Sequence, residues 1–458
     1  MPTAYDAIII GAGQAGPPLA RRLAAAGMSV AVIERGAFGG TCVNTGCIPT
    51  KTLIASAYAA HLARRAADFG VVVDGSVRVD MARVKARKDA ISGQSRSGVE
   101  HSLRTLDKCA VYQGHARFLG PQEVEVGDDI LTAARIFINV GARASVPKLP
   151  GLDQVAYLTN SSMMAVDFLP RHLVIVGGSY VGLEFAQMYR RFGSEVTVVE
   201  MAPRIVHRED PDVSVELSQI LEREGINLRV NAECIRVAKS DEDVLVGVNC
   251  QDGPPEISGS HLLLAVGRQP NTDDLGLDQA GIARDARGYI LVDDELRTNV
   301  PGVWALGECN GKGAFTHTAY NDFEVVAANL LDGGSRRLSD RITGYALYVD
   351  PPLGRAGLTE EQVRRTGKPA LVAKRPMSRV GRAVEKGETQ GFMKVLVDLE
   401  SEQILGAAFL GIGCDEVIHG ILDVMYARAP YTMLQCTVPI HPTVSELVPT
   451  LLGDLHPL

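Results

Sequence analysis

Short apolar runs interrupted by glycine dominate the first part of the chain. Ala7–Ile10 is uniformly apolar, Gly11-Ala12-Gly13-Gln14-Ala15-Gly16 interrupts it, Leu19–Ala26 has helical spacing, and Val30–Glu34 is apolar up to a terminal acid. That order predicts strand, tight turn, helix and strand. It recurs at Leu173–Val176, Gly177-Gly178-Ser179-Tyr180-Val181-Gly182, a helix to about Arg191, and a strand at Glu195–Glu200. Two βαβ units about 166 residues apart predict two separate nucleotide-binding domains, because each supplies its own helix N-terminus for a phosphate.

Between the copies, residues 50–110 are rich in Ala, Arg and Lys at helical spacing and predict a helical excursion from the first domain. Strands are expected at Val111–Gln113, Val124–Val126 and Ile136–Asn139, with a boundary at Pro147–Gly151. Leu262–Ala265 and Val303–Glu308 follow, and from about Thr343 the pattern changes to antiparallel strands and helices, with Met393–Leu399 and Ile404–Phe409 as a hairpin. The expected class is α/β: two Rossmann-like nucleotide-binding domains and a C-terminal α+β unit.

Composition narrows the function classes. The 458 residues, 46% hydrophobic and 22% charged with 47 glycines, describe a globular chain of about three domains. A net charge of -8 without a long basic run argues against nucleic acid as a partner. No stretch approaches the ~20 apolar residues of a membrane span, and the run Ala7–Ile10 is too short for a signal peptide, so a cytoplasmic location with no membrane partner is expected. Eight cysteines in that setting point to thiols or a working redox pair rather than a structural framework, and Cys109 and Cys250 read as structural.

In the first glycine loop, Gly11, Gly13 and Gly16 allow a tight turn and close approach of a pyrophosphate, and Glu34 stands where it bonds a ribose diol. Pro17-Pro18 is unusual but compatible with a first helical turn. In the second loop Ser179 replaces the middle glycine between Gly177 and Gly182, a weaker signal. Glu200 ends the second strand, where a carboxylate favours NADH over NADPH, while Arg204, His207 and Arg208 just beyond argue the reverse.

Cys42-Val43-Asn44-Thr45-Gly46-Cys47 holds the most specific chemistry. In a regular helix this separation puts the two Cα atoms roughly 8–9 Å apart, beyond disulfide reach. Bonding therefore requires distortion, for which Asn44, Gly46 and Pro49 are the candidate residues. Three readings compete. A zinc site lacks two further ligands at matching spacing, so no metal is expected; a pair of inert thiols is the plain alternative. A redox pair fits best, since it follows a nucleotide-binding unit and Lys51 stands ready to stabilise negative charge.

The run Gly39-Gly40-Thr41-Cys42 through Cys47-Ile48-Pro49-Thr50-Lys51 resembles the class I pyridine nucleotide-disulfide oxidoreductases, the family of dihydrolipoamide dehydrogenase, glutathione reductase and mercuric reductase. Gly267-Arg268-Gln269-Pro270-Asn271 and His441-Pro442-Thr443-Val444-Ser445-Glu446 support it, and the match covers essentially the whole chain. The resemblance implies an FAD-binding domain in two parts, 1–150 and 271–340, an NAD(P)-binding domain at 151–270 and a dimerisation domain at 341–458. It assigns FAD to the first loop, Glu34, Thr41, Gly141, Gly307 and Glu308, where Glu308 stands in place of the usual Asp, and leaves Gly267 with the nicotinamide domain. It assigns the nicotinamide to the second loop, with Tyr180 as gate and Glu184 as partner of Lys51.

The mechanism so implied runs from NAD(P)H through flavin to a Cys42–Cys47 disulfide. Cys47 is the flavin-side thiol, Cys42 the interchange thiol, and His441, oriented by Glu446, the acid/base lent by the other subunit of a homodimer. The expected acceptor is a small-molecule disulfide or a metal ion. Mercury is disfavoured because the C-terminal Gly-Asp-Leu-His-Pro-Leu has no cysteine pair, and no N-terminal metal-binding domain is expected. Ala314–Asp322 and Pro351-Pro352-Leu353-Gly354-Arg355 are unlike typical lipoamide dehydrogenases and closer to the reactive-chlorine-resistance group. The alternative is a flavin-bearing redox sensor or binding protein with little turnover.

Overall fold

The computed structural model describes residues 1–249 and 253–458, so Cys250 lies outside the described residues. Each predicted βαβ unit seeds its own parallel sheet. In the first, strands Val303–Ala305, Ile136–Ile138, Ala7–Ile10, Val30–Glu34 and Cys109–Gln113 lie side by side in that order, all parallel. In the second the order is Asn227–Arg229, Glu195–Val199, His172–Val176, His261–Leu264, again parallel. Near-continuous apolar strands are what a sheet covered on both faces demands, and Ala7–Ile10 and Val30–Glu34 are buried throughout.

The helices Gly16–Ala25 and Tyr180–Phe192 follow the two glycine loops. Pro17 sits within the first turn of its helix, where its missing N–H has no intrahelical partner to lose. The helical excursion is two long helices, Cys47–Arg64 and Met81–Arg104, with irregular chain between residues 70 and 80. Strands Ala116–Gly120, Glu123–Val126 and Asp129–Ala133 form a small sheet with Thr3–Tyr5.

The C-terminal part carries a six-stranded antiparallel sheet: Gly344–Leu347, Leu353–Gly357, Ile404–Leu410, Phe392–Asp398, Ala370–Pro376 and His456–Pro457. Helix Cys414–Tyr426 packs on it through Ile418, Ile421 and Val424. One core cluster joins Phe185 and Leu183 of the second unit to Leu353 and Ala408 of this sheet, which fixes the C-terminal part against the nucleotide-binding part. Among the described residues no helix is long and apolar enough to cross a membrane.

Candidate active site

The cysteine segment is a helix broken between its two sulfurs. A five-residue turn of helix, Gly40–Asn44, stops at Thr45, and the long helix begins anew at Cys47. Asn44 ends the first piece by donating its Nδ2 to Phe38 O and Gly40 O, both at 2.9 Å. Gly46 makes the break possible, since a Cβ there would stand 2.9 Å from Thr41 O. Asn160 Nδ2 donates to the freed Thr45 O at 3.0 Å. Pro49, expected to disrupt the helix, does not: it occupies the first turn of Cys47–Arg64, where no intrahelical donor is required of it.

The break brings the two free thiols together, each the largest influence on the other's acidity. Cys47 Sγ also lies 3.1 Å from Thr316 Oγ1. These contacts split the acidities. The hydrogen bond from Cys42, with those of Thr316 and the charge of Lys51, outweighs burial and lowers the Cys47 pKa to about 6. The same bond, with burial, pushes the Cys42 thiol well above its ordinary value. The shifts thus favour the charged form at Cys47 and the neutral thiol at Cys42.

One turn beyond Cys47, Lys51 Nζ bonds both oxygens of the buried Glu184 at 2.9 and 2.8 Å. It also lies 4.6 Å from the centre of the Tyr348 ring, and Tyr348 N donates to Glu184 Oε1 at 3.1 Å. A fixed ammonium thus stands near the thiolate in a partly dry setting, where its charge is worth more than in water.

A cavity of about 1030 Å³ contains both sulfurs. Gly11, Gly13, Glu34, Thr41, Gly141, Gly307, Glu308, Ser179, Tyr180 and Glu184 also line it, whereas Gly16, Gly177, Gly182, Glu200 and Gly267 do not. Gly16 and Gly182 lie beneath their loops, where a Cβ would stand 2.4 Å from Gly11 O and 1.9 Å from Gly177 O. The two strand-end acids are used alike. Glu34 accepts from Ala12 N at 2.8 Å and Gly36 N at 2.7 Å, and Glu200 from Gly178 N at 2.7 Å and Ala202 N at 2.8 Å.

The residues present fit a flavin dinucleotide. Asn139 Nδ2 is a buried donor without a partner facing the first loop, 3.5 Å from where a Gly13 Cβ would stand, and the space beside Gly141 is open. At the far side Glu308 pairs with Arg268 at 2.5 Å, and Arg268 in turn donates to Ala142 O at 2.6 Å. The longer acid therefore reaches a guanidinium at the cavity wall.

His441 and Glu446 are brought together, Nδ1 to Oε2 at 2.8 Å, but outside this cavity. The His441 side chain is 79% exposed, and Val438 and Ile440 beside it are 96% and 78% exposed. Within one chain, the cavity with Cys42 has no histidine acid/base of this pair.

Sequence reasoning gave no role to Asn139, Phe315, Thr316, Tyr345 or Tyr348. The unusual segment Ala314–Asp322 flagged Phe315 and Thr316 without revealing their use, and Tyr345 had no local signal. Asp210, Asp212 and Glu360 converge closely enough for metal ligation, yet Lys394 Nζ bonds all three at 3.0, 2.8 and 2.6 Å, so an ammonium takes the place of an ion.

A family model described as pyridine nucleotide-disulphide oxidoreductase matches residues 5–322, and one described as its dimerisation domain matches residues 343–452. A protein of Escherichia coli (strain K12) named probable pyridine nucleotide-disulfide oxidoreductase RclA is 36% identical over 450 residues, covering 96% of this chain and 97% of that one. A mercuric reductase of Streptomyces lividans is 34% identical over 91% of this chain and 89% of its own. A dihydrolipoyl dehydrogenase of Thermus scotoductus is 33% identical over 96% and 95%. Among solved structures, the Cu(II) complex of the HOCl-induced flavoprotein disulfide reductase RclA from Escherichia coli superposes with a TM-score of 0.90 at 34% identity, covering 99% of both chains.

Proposed function

The chain belongs to the pyridine nucleotide-disulphide oxidoreductases, and from that premise we propose that it is an NAD(P)H-dependent flavoprotein reductase whose Cys42 and Cys47 cycle between disulfide and dithiol to reduce a metal ion or small disulfide. The family is FAD-dependent and uses NAD(P)H. When bound, FAD supplies a two-electron relay between nicotinamide and the cysteine pair. The first glycine loop, Glu34, Thr41, Asn139, Gly141, Gly307 and Glu308 would hold it, with Tyr180 at the nicotinamide side. Glu200 favours NADH.

Two electrons and two protons convert the disulfide to two thiols. Cys47 then releases its proton, stabilised by the Cys42 thiol and Lys51. Cys42 meets the acceptor, and His441 of a second copy, oriented by Glu446, takes the Cys42 proton. Electrons leave as the sulfurs rejoin: two Cu(II) ions become two Cu(I) while the dithiol becomes a disulfide and releases two protons. Copper is the preferred acceptor because the similar RclA was solved as a Cu(II) complex.

The observation that carries this reading is the broken helix that pairs a low-pKa Cys47 with Cys42. Steady-state rates with NADH or NADPH against Cu(II), Hg(II), lipoamide, glutathione disulfide and oxygen test it. NADH-driven Cu(II) reduction, abolished in Cys42→Ser and in Cys47→Ser, is the expected result. Slow reduction by either nicotinamide, unchanged in His441→Gln, would instead indicate a flavin-bearing sensor.

A further inference from the structure

The segment Pro351–Arg355, set apart already by its sequence, provides a cation that the reaction above does not use. Arg355 is 1% exposed; its Nε lies 3.0 Å from Glu209 Oε2 and its Nη2 3.1 Å from Asp210 Oδ2. Glu209, 2% exposed, turns its other oxygen to two phenols, with Tyr180 donating to Oε1 at 2.8 Å and Tyr345 at 2.7 Å. The two phenol rings touch at 5.6 Å between centroids, and Phe315 stacks on Tyr345 at 5.3 Å and contacts Tyr180 at 6.4 Å. Tyr180 begins the helix after the second glycine loop, whereas Tyr345 and Arg355 belong to the C-terminal sheet. Both unusual segments thus converge on one ring at the cavity wall.

We propose that Glu209 is a positioning residue for Tyr180: held by Arg355, it latches the Tyr180 hydroxyl, so that the nicotinamide gains access only when the Tyr180–Glu209 bond opens. The inference rests on reading Tyr180 as the gate of the proposed reductase. A carboxylate with one oxygen clamped by a buried guanidinium does not follow the ring as it swings, so ring movement has to sever the bond. Hydrogen bonds to an ionised acceptor away from water are among the strong ones. The ring therefore rests in one place, and the latch ties it to the sheet of the dimerisation domain.

The test is anaerobic, single-turnover reduction of the FAD-loaded protein by NADH in wild type, Glu209→Gln, Tyr345→Phe, Tyr180→Phe and the Glu209→Gln/Tyr180→Phe pair. Releasing the latch is expected to speed reduction about tenfold, the equilibrium weight of one such bond, in both Glu209→Gln and Tyr180→Phe. The double variant should match Tyr180→Phe alone. In flavin-free protein, amide exchange across residues 178–184 should quicken in Glu209→Gln. Tyr345→Phe keeps every charge in place, so it folds even where Glu209→Gln does not, and a smaller acceleration of the same sign is expected. Reduction rates within twofold of wild type in all single variants, or effects that multiply in the double variant, overturn the latch while leaving the reductase reading intact. Wild-type flavin that neither NADH nor NADPH reduces overturns that reading, and the latch with it.

Discussion

Two thiols five positions apart are shifted in opposite directions because each is the largest influence on the other. Cys47 is depressed from 9.0 to about 6, so its thiolate contributes fully to the stability of the dithiol form above the ordinary thiol value; that contribution falls as pH drops and is gone below about 6. The thiolate absorbance of reduced protein should therefore titrate with a midpoint near pH 6. Cys42→Ala removes the largest lowering influence and should shift that midpoint upward, with Thr316→Val and Lys51→Met giving smaller shifts in the same direction. An unmoved midpoint in Cys42→Ala would contradict the assignment. The pair itself was legible from its spacing and neighbours. Thr316 was not, since 269 residues separate it from Cys47 and no local pattern marks a hydroxyl that will face a sulfur.

At the level of elements, what sequence revealed is what short-range physics dictates. The two βαβ units were legible because glycine loops, apolar strands and a terminal acid recur within about thirty residues. The contacts between elements were hidden. Arg355 lies in the short strand Leu353–Gly357 and is fully buried against an acid 146 residues away, a partner no local pattern announces. Glu209, which follows Arg204, His207 and Arg208, carries no local pattern that marks its partners. Removing the cation in Arg355→Leu leaves Glu209 and Asp210 buried with one partner fewer, and denaturant unfolding should show a loss of about 3–5 kcal/mol. Gly46→Ala places a methyl 2.9 Å from Thr41 O, so a cost of about 1–3 kcal/mol and slower disulfide formation are expected in the same assay and in thiol titration. Gly11 has φ of 103° and no room for a Cβ, 2.3 Å from Asn139 O, so Gly11→Ala should purify without flavin colour.

The whole molecule raises the question of where the acid/base resides. His441 and Glu446 are paired but outside the cavity, on a surface where Val438 and Ile440 stand almost bare. A dimer with shared sites accounts for this and makes a specific forecast. Mixing and reassociating equal amounts of inactive Cys42→Ser and His441→Gln should restore about one quarter of wild-type activity, since half the pairs are mixed and each mixed pair carries one intact site. No recovery would argue against sharing. The resemblance alone implies this arrangement; composition and periodicity do not, because they describe a single chain and the proposed site needs two.

The bare stretch around Val438 and Ile440 has a kinetic corollary. Separated copies hold no complete site of the proposed kind, so dilution below the dimer's dissociation constant should make the rate climb with the square of protein concentration, and above it the rate should be linear.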